Sequence, residues 1–102
     1  MFGAKITLTA SNTAYNLYTL LNAADTTIPQ NAHQITIQSD SGNSGKNLFL
    51  GGTSLSTTVY GDVLLAGDSS TYTADFNAIN LKDTYLLSDS ASCVVNVSQI
   101  TI

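Results

Sequence analysis

Short apolar runs separated by turn-forming clusters recur along the chain about every ten residues, the pattern of antiparallel strands in a sandwich or barrel. Ile6 and Leu8 share one face of a first strand, and Ile35 and Ile37 share one face of the next. The cluster Ser41-Gly42-Asn43-Ser44-Gly45 then leads to Leu48-Phe49-Leu50, so these two runs are expected to pair as a hairpin. Val63-Leu64-Leu65 and Thr71-Tyr72-Thr73 flank Ala66-Gly67-Asp68, and Tyr85-Leu86-Leu87 and Cys93-Val94-Val95 flank residues 88–92; both read as further hairpins. The stretch 51–58 has too little apolar content for a core strand and is expected to be an exposed loop or edge.

Two places break the strand pattern. Ala14, Leu17, Tyr18 and Leu21 fall at i, i+3, i+4 and i+7, with Asn16, Thr19 and Asn22 opposite, which predicts one short helix near residues 13–24. Ser11, Asn12 and Thr13 are N-cap candidates, and Pro29 closes the exit. Tyr15, Leu17, Thr19 and Leu21 also alternate, so a strand is the competing reading. Near the end of the chain Val95 and Val97 occupy odd positions but Ile100 and Ile102 even ones. A flat strand cannot bury both pairs on one face, which predicts a β-bulge near Ser98-Gln99 or a strand passing from core to subunit interface. No linker, repeat or change of composition divides the chain. The expectation is a single domain over 1–102, all-β, an antiparallel β-sandwich (jelly-roll-like) with the one helix.

Composition narrows the function. Ser, Thr, Asn and Gln supply 39 of 102 residues, while Glu, Arg and Trp are absent and His and Cys occur once each. Acid–base, nucleophilic and metal-assisted mechanisms draw on side chains that are mostly missing here, so the chain reads as not an enzyme and as needing no cofactor. Seven Asp against Lys5, Lys46 and Lys82 give a net charge of −4, without the basic stripe that nucleic acid requires. The aspartates are explained by turn chemistry: Asp40, Asp62, Asp68, Asp83 and Asp89 each adjoin Gly, Ser or Thr or lie within a turn cluster. No stretch approaches the ~20 apolar residues of a membrane span, and the first residues lack the apolar core of a signal peptide, so synthesis in the cytoplasm and no membrane partner are expected. Cys93, in Cys-Val-Val-Asn-Val, reads as an inert buried thiol. Asn96-Val97-Ser98 matches a glycosylation acceptor by chance inside a strand.

Candidate sites are few. Gly45-Lys46 fails as a P-loop because Asp40 and Asn47 stand where Gly and Ser or Thr are needed. Asp40-Ser41-Gly42-Asn43 offers too few oxygens for a calcium loop and reads as a plain turn. His33 is in register with Ile35 and Ile37 and is expected on their face, as a core or interface histidine. No Gly-x-Ser-x-Gly elbow is present to hold a nucleophile. Of Tyr15, Tyr18, Tyr60, Tyr72 and Tyr85, at least three are expected to pack in the core.

The phrases at residues 6–21 (ITLTASNTAYNLYTLL), 35–40 (ITIQSD), 63–68 (VLLAGD) and 81–87 (LKDTYLL) resemble those of small tailed-bacteriophage capsid decoration, or cement, proteins. The resemblance runs along nearly the whole chain as a style of sequence and carries no invariant site motif. It implies a compact, often trimeric β-sandwich on the outer capsid surface of a virion. Its partners would be the phage's major capsid protein and further copies of itself. Neutral polar surfaces suit such packing because they hydrogen-bond without the desolvation cost of charges. The polar segment 51–60 and the terminal strands, whose edges need cover, are the expected contacts: Phe2, Thr53, Thr57, Thr58, Tyr60, Ile100 and Ile102. The alternative is a receptor- or carbohydrate-binding module of a phage head fibre or tail, with a shallow, partly aromatic groove.

Overall fold

The computed structural model describes residues 2–74 and 78–101. In chain order these form β1 (Phe2–Leu8), β2 (Tyr15–Asn16), α1 (Leu17–Ala24), β3 (Asn31–Ala32), β4 (Gln34–Ser39), β5 (Leu48–Gly51), β6 (Asp62–Leu64), β7 (Ser69–Thr73), β8 (Ile79–Asn80), a single 3-10 turn (Leu81–Asp83), β9 (Tyr85–Ser88) and β10 (Cys93–Thr101). A first sheet runs β1-β10-β4-β7 and a second β2-β9-β5-β6, with β3 and β8 as a small separate pair. All pairings are antiparallel.

The connections define the fold. From β1 the chain passes to the second sheet at β2, returns at β4 and crosses again at β5. It stays in the second sheet only from β5 to β6, then goes to β7, β9 and β10 in alternate sheets. This double wrapping is the jelly roll. The three hairpins expected from the turn clusters are therefore corrected: β4 and β5, β6 and β7, and β9 and β10 do not pair with each other but face each other across the core. Among the described residues the consecutive strands that do pair are β5 and β6, a long-loop hairpin with Leu48 opposite Leu64 and Leu50 opposite Asp62.

The core lies between the sheets. Ile6 and Leu8 from β1, Ile35 and Ile37 from β4, Val95 and Val97 from β10, and Leu48, Leu50, Leu64 and Leu86 from the second sheet form one buried cluster. Each such side chain contributes about 1.5–3 kcal/mol by leaving water. Helix α1 closes one side with Leu17 and Leu21. It starts later than the predicted residue 13, because Tyr15 and Asn16 first pair with Leu86 and Tyr85 as β2. Asn16, not residues 11–13, is the cap: its Oδ1 accepts from the Thr19 N–H at 3.1 Å, and its Nδ2 donates to the Lys82 carbonyl.

The expected bulge is present. Register with β4 shifts between Ser98 and Thr101, and Gln99 adopts φ 54°, so Ile100 turns back into the core beside Val95 and Val97. A second irregularity lies opposite, between Phe2 and Ala4, where a Cβ on Gly3 would meet the Val97 carbonyl at 2.9 Å. His33 departs from expectation: it sits in a bend between β3 and β4, which breaks the alternation with Ile35, and it is exposed. Its backbone is fixed by the Thr101 carbonyl and the Ala74 N–H.

The β4–β5 crossing is anchored by Asn43, a buried polar residue. Its Oδ1 accepts from the Val94 N–H at 3.0 Å and its Nδ2 donates to the Val94 carbonyl, imitating a strand partner of β10. The same amide reaches Ser39 Oγ and Cys93 Sγ. Cys93 is buried as expected, and burial pushes its thiol pKa up.

Candidate functional site: an apolar strip on an outer face

Side chains on β5, β6 and β9 alternate between core and exterior, yet the exterior positions of these strands are apolar. Leu87, Phe49 and Val63 stand opposite one another in register across the second sheet, on the face away from the core. Phe49, Leu87 and Leu55 form a second buried cluster there, with Tyr85 packed against it. Leu55 belongs to the β5–β6 loop, which folds back over the sheet. The loop shapes itself: Ser56 Oγ accepts from the Thr58 and Val59 N–H groups, the Ser56 N–H donates to the Val59 carbonyl, and the Leu55 N–H donates to the Gly52 carbonyl. Gly51 leaves room for this return, since a Cβ there would lie 3.1 Å from Leu55 Cδ1.

The loop covers only part of the cluster. Tyr60 meets Phe49 edge-on, with ring centroids 5.0 Å apart, but is 48% exposed. Val59 and Leu65 are 56% exposed and Val63 38%. Among the described residues these four are the exposed large hydrophobics, and all fall within one stretch of seven residues around β6, an edge strand of its sheet. Scattered exposed apolar residues mean little, but a contiguous strip backed by a packed aromatic cluster is the composition of a contact surface.

The other outer face differs. On the first sheet Lys5, Asn96, Gln38 and Ser69 form one cross-strand row, and Ser98, Thr36 and Thr71 another. Asn96 Nδ2 donates to Gln38 Oε1, and the Thr36 and Thr71 hydroxyls bond at 2.9 Å.

The residues expected at an interface divide. Thr53, Thr57, Thr58 and Tyr60 are exposed, and Tyr60 belongs to the strip. Phe2 is half-buried on β1, which is a sheet edge as expected. Ile100 is corrected: it is 0% exposed, because the bulge turns it into the core, and β10 is flanked by β1 and β4 and so is no edge. Ile102 lies outside the described residues. Val59, Val63 and Leu65 were not anticipated, although three consecutive apolar residues in a strand must place at least one outside.

The remaining candidates hold no constellation. Asp40 Oδ2 accepts from the Gly42 N–H and its Oδ1 from Asn96, while Asn43 points inward, so the turn is committed to its own bonds. Asp68, Asp89 and Asp25 likewise accept from the N–H groups of Leu65, Asn47 and Thr27. Among the described residues no three His, Cys, Asp or Glu side chains gather as metal ligands. No described helix is long and apolar enough to cross a membrane. The chain matches no family model, no curated protein and no solved structure.

Proposed function

We propose that this chain is a non-enzymatic virion structural protein that decorates and stabilises a phage capsid, binding the outer coat surface and further copies of itself through the second sheet. The observation that carries the reading is the strip of Val59, Tyr60, Val63 and Leu65, set on the packed Phe49–Leu87–Leu55 cluster. Placed in a contact, it removes apolar area from water without burying a charge. The jelly roll is a fold shared by viral capsid and lectin domains, which agrees with this reading by analogy. Glycan recognition is the less favoured alternative, because the most exposed tyrosine, Tyr60, is packed in a T-shaped contact with Phe49 and does not stand free on the surface.

The test is copy number in purified virions, measured by quantitative mass spectrometry against the major coat protein. Near-stoichiometric abundance supports decoration. A number matching the tail or a single vertex supports the receptor-binding alternative, and absence from particles overturns both.

A further inference from the structure

Each large sheet of the sandwich ends in two edge strands, and an edge presents a row of N–H and C=O groups on which a strand of another molecule can form. In the first sheet, edge strand β1 carries Lys5 and the irregularity between Phe2 and Ala4, and edge strand β7, Ser-Ser-Thr-Tyr-Thr, is polar. In the second sheet, edge strand β2 is only two residues long. The remaining edge, β6, is the apolar one: Val63 and its neighbours Val59, Tyr60 and Leu65 are the exposed large hydrophobics among the described residues. An uncovered apolar edge is where pairing between chains ordinarily starts.

The backbone of β6 is closed against this. The Gly61 N–H donates to the Leu50 carbonyl at 2.8 Å, so Leu50 turns its backbone toward β6, and alternation gives Leu48 the same direction. The Asn47 carbonyl, one residue earlier, faces β9 and accepts from the Asp89 N–H. Leu50 and Leu48 stand opposite Asp62 and Leu64, which leaves the N–H groups of Val63 and Leu65 pointing to the open side. Both are taken. The Val63 N–H donates to Asp62 Oδ1 at 2.8 Å, and the Leu65 N–H to Asp68 Oδ2 at 3.1 Å. The Leu65 carbonyl is occupied as well, by the Asp68 N–H at 2.9 Å. Asp62 is itself held from the other side, since its Oδ2 accepts from Ser70 Oγ and Tyr72 Oη, each at 2.9 Å. Those two bonds keep its carboxyl below its ordinary range, so at neutral pH it is ionised and can only accept.

We propose that Asp62 and Asp68 plug the outward donors of β6 and so stop a strand of a second copy from extending the second sheet at its apolar edge. A strand arriving there has to displace two bonds to carboxylates, which are stronger than the neutral backbone bonds that replace them, and has to desolvate both charges. What β6 offers a neighbour is side chain and not backbone. For the partner proposed above, contact therefore consists of packing against Val59, Tyr60, Val63 and Leu65; the plug itself does not depend on that partner.

The test is Asp62→Ala combined with Asp68→Ala, which unplugs both donors. Self-association is read by sedimentation velocity, and its mode by isotope-filtered nuclear Overhauser effects between labelled and unlabelled copies at the backbone protons of residues 63–65. The double variant is expected to associate at least about 10-fold more tightly than wild type, with backbone contacts between copies that wild type lacks. Asp68→Asn keeps a side-chain carbonyl for the Leu65 N–H and should behave as wild type. Asp62→Ala also cuts the bonds to Ser70 and Tyr72, so Ser70→Ala with Tyr72→Phe is the companion variant: it loosens β6 from β7, keeps the Val63 plug and should not associate beyond wild type. Asp68→Ala alone, at an exposed turn position, frees Leu65 without touching that tie and should show the effect in part. Unchanged association of the double variant, association without backbone contacts at residues 63–65, or equal association of the companion variant overturns the proposal. If the double variant fails to fold, Asp68→Ala decides alone, and wild-type behaviour overturns the proposal. Every readout uses the free protein, so failure here is distinct from failure of the capsid contact.

Discussion

The two outer faces of the sandwich follow the same alternation but finish it differently. On the first sheet, β4 reads Gln-Ile-Thr-Ile-Gln-Ser, and every second residue meets water with a neutral polar group. On the second, Leu48-Phe49-Leu50 spends two apolar residues inward and one outward, Val63-Leu64-Leu65 and Tyr85-Leu86-Leu87 spend one inward and two outward, and Leu87, Phe49 and Val63 align on the outer face. The difference is that the second sheet carries apolar side chains on both faces. Its own loop covers part of the outer face through Leu55, and the exposed remainder is the surface we propose for a partner.

Charging the two faces breaks the comparison most severely. The double change Val63→Asp and Leu65→Asp is expected to weaken binding to purified capsid shells by about 100-fold or more in a co-sedimentation assay, because it forces charges into a desolvated contact. The exposed positions tolerate it in the free protein, so its thermal midpoint should stay close to wild type. Thr36→Asp on the first sheet should leave shell binding within about 2-fold, as expected of a position outside the contact. If the two variants behaved alike, the faces would not differ in function.

Truncation compares their weight in the fold. Phe49→Ala, which removes the centre of the outer cluster, is expected to cost about 3 kcal/mol in urea unfolding. Thr36→Ala loses one cross-strand hydroxyl pair and should cost less than about 1 kcal/mol. Asn43→Ala falls between them at roughly 2 kcal/mol, since it strips a buried strand partner from Val94 at a crossing between the sheets.

How much of this was legible in the sequence depends on what each signal encodes. The bulge was, because the parity of Val95 and Val97 against Ile100 is a purely local statement about one strand. The helix was legible in its apolar face but not its start, since Tyr15 and Asn16 are claimed by a partner strand distant in sequence. The hairpins misled for a definite reason: Ser41–Gly45 and its counterparts specify that the chain reverses, but nothing local says whether the next strand joins the same sheet or the opposite one. The β6–β7 turn illustrates this. Gly67, at φ 85°, and the bond from the Asp68 N–H to the Leu65 carbonyl make a tight reversal, yet the two strands belong to different sheets. The strip was written in the apolar triplets of the second sheet, but only their register shows that the outward members lie side by side. Asn43 gave no pattern to read, because a buried asparagine is defined by partners 51 residues away.

Solution pH separates the faces least. The carboxyls of Asp25, Asp40, Asp62 and Asp89 are held below their ordinary range, chiefly by hydrogen bonds from Thr27, Asn96, Ser70 and Asn47 respectively. A folded-state pKa below the unfolded value of about 3.9 contributes stability that is present above that value and lost as pH falls through the folded one. The urea midpoint should therefore be level through neutral pH and decline below about pH 4. Tyr72 acts at the other end: its raised pKa contributes stability that is complete below the unfolded value of about 10 and disappears as pH climbs toward the folded one. Tyr72→Phe should remove that alkaline decline, and Asp62→Asn should diminish the acidic one.

Hydroxyl-radical footprinting of the shell-bound protein against the free protein shows which of the two faces meets the shell. Protection of Val59, Tyr60, Val63 and Leu65 on the second sheet is expected, with Lys5, Thr36 and Thr71 on the first reacting as they do in solution. Protection of the first sheet's polar rows, with the strip left reactive, would contradict the proposed contact.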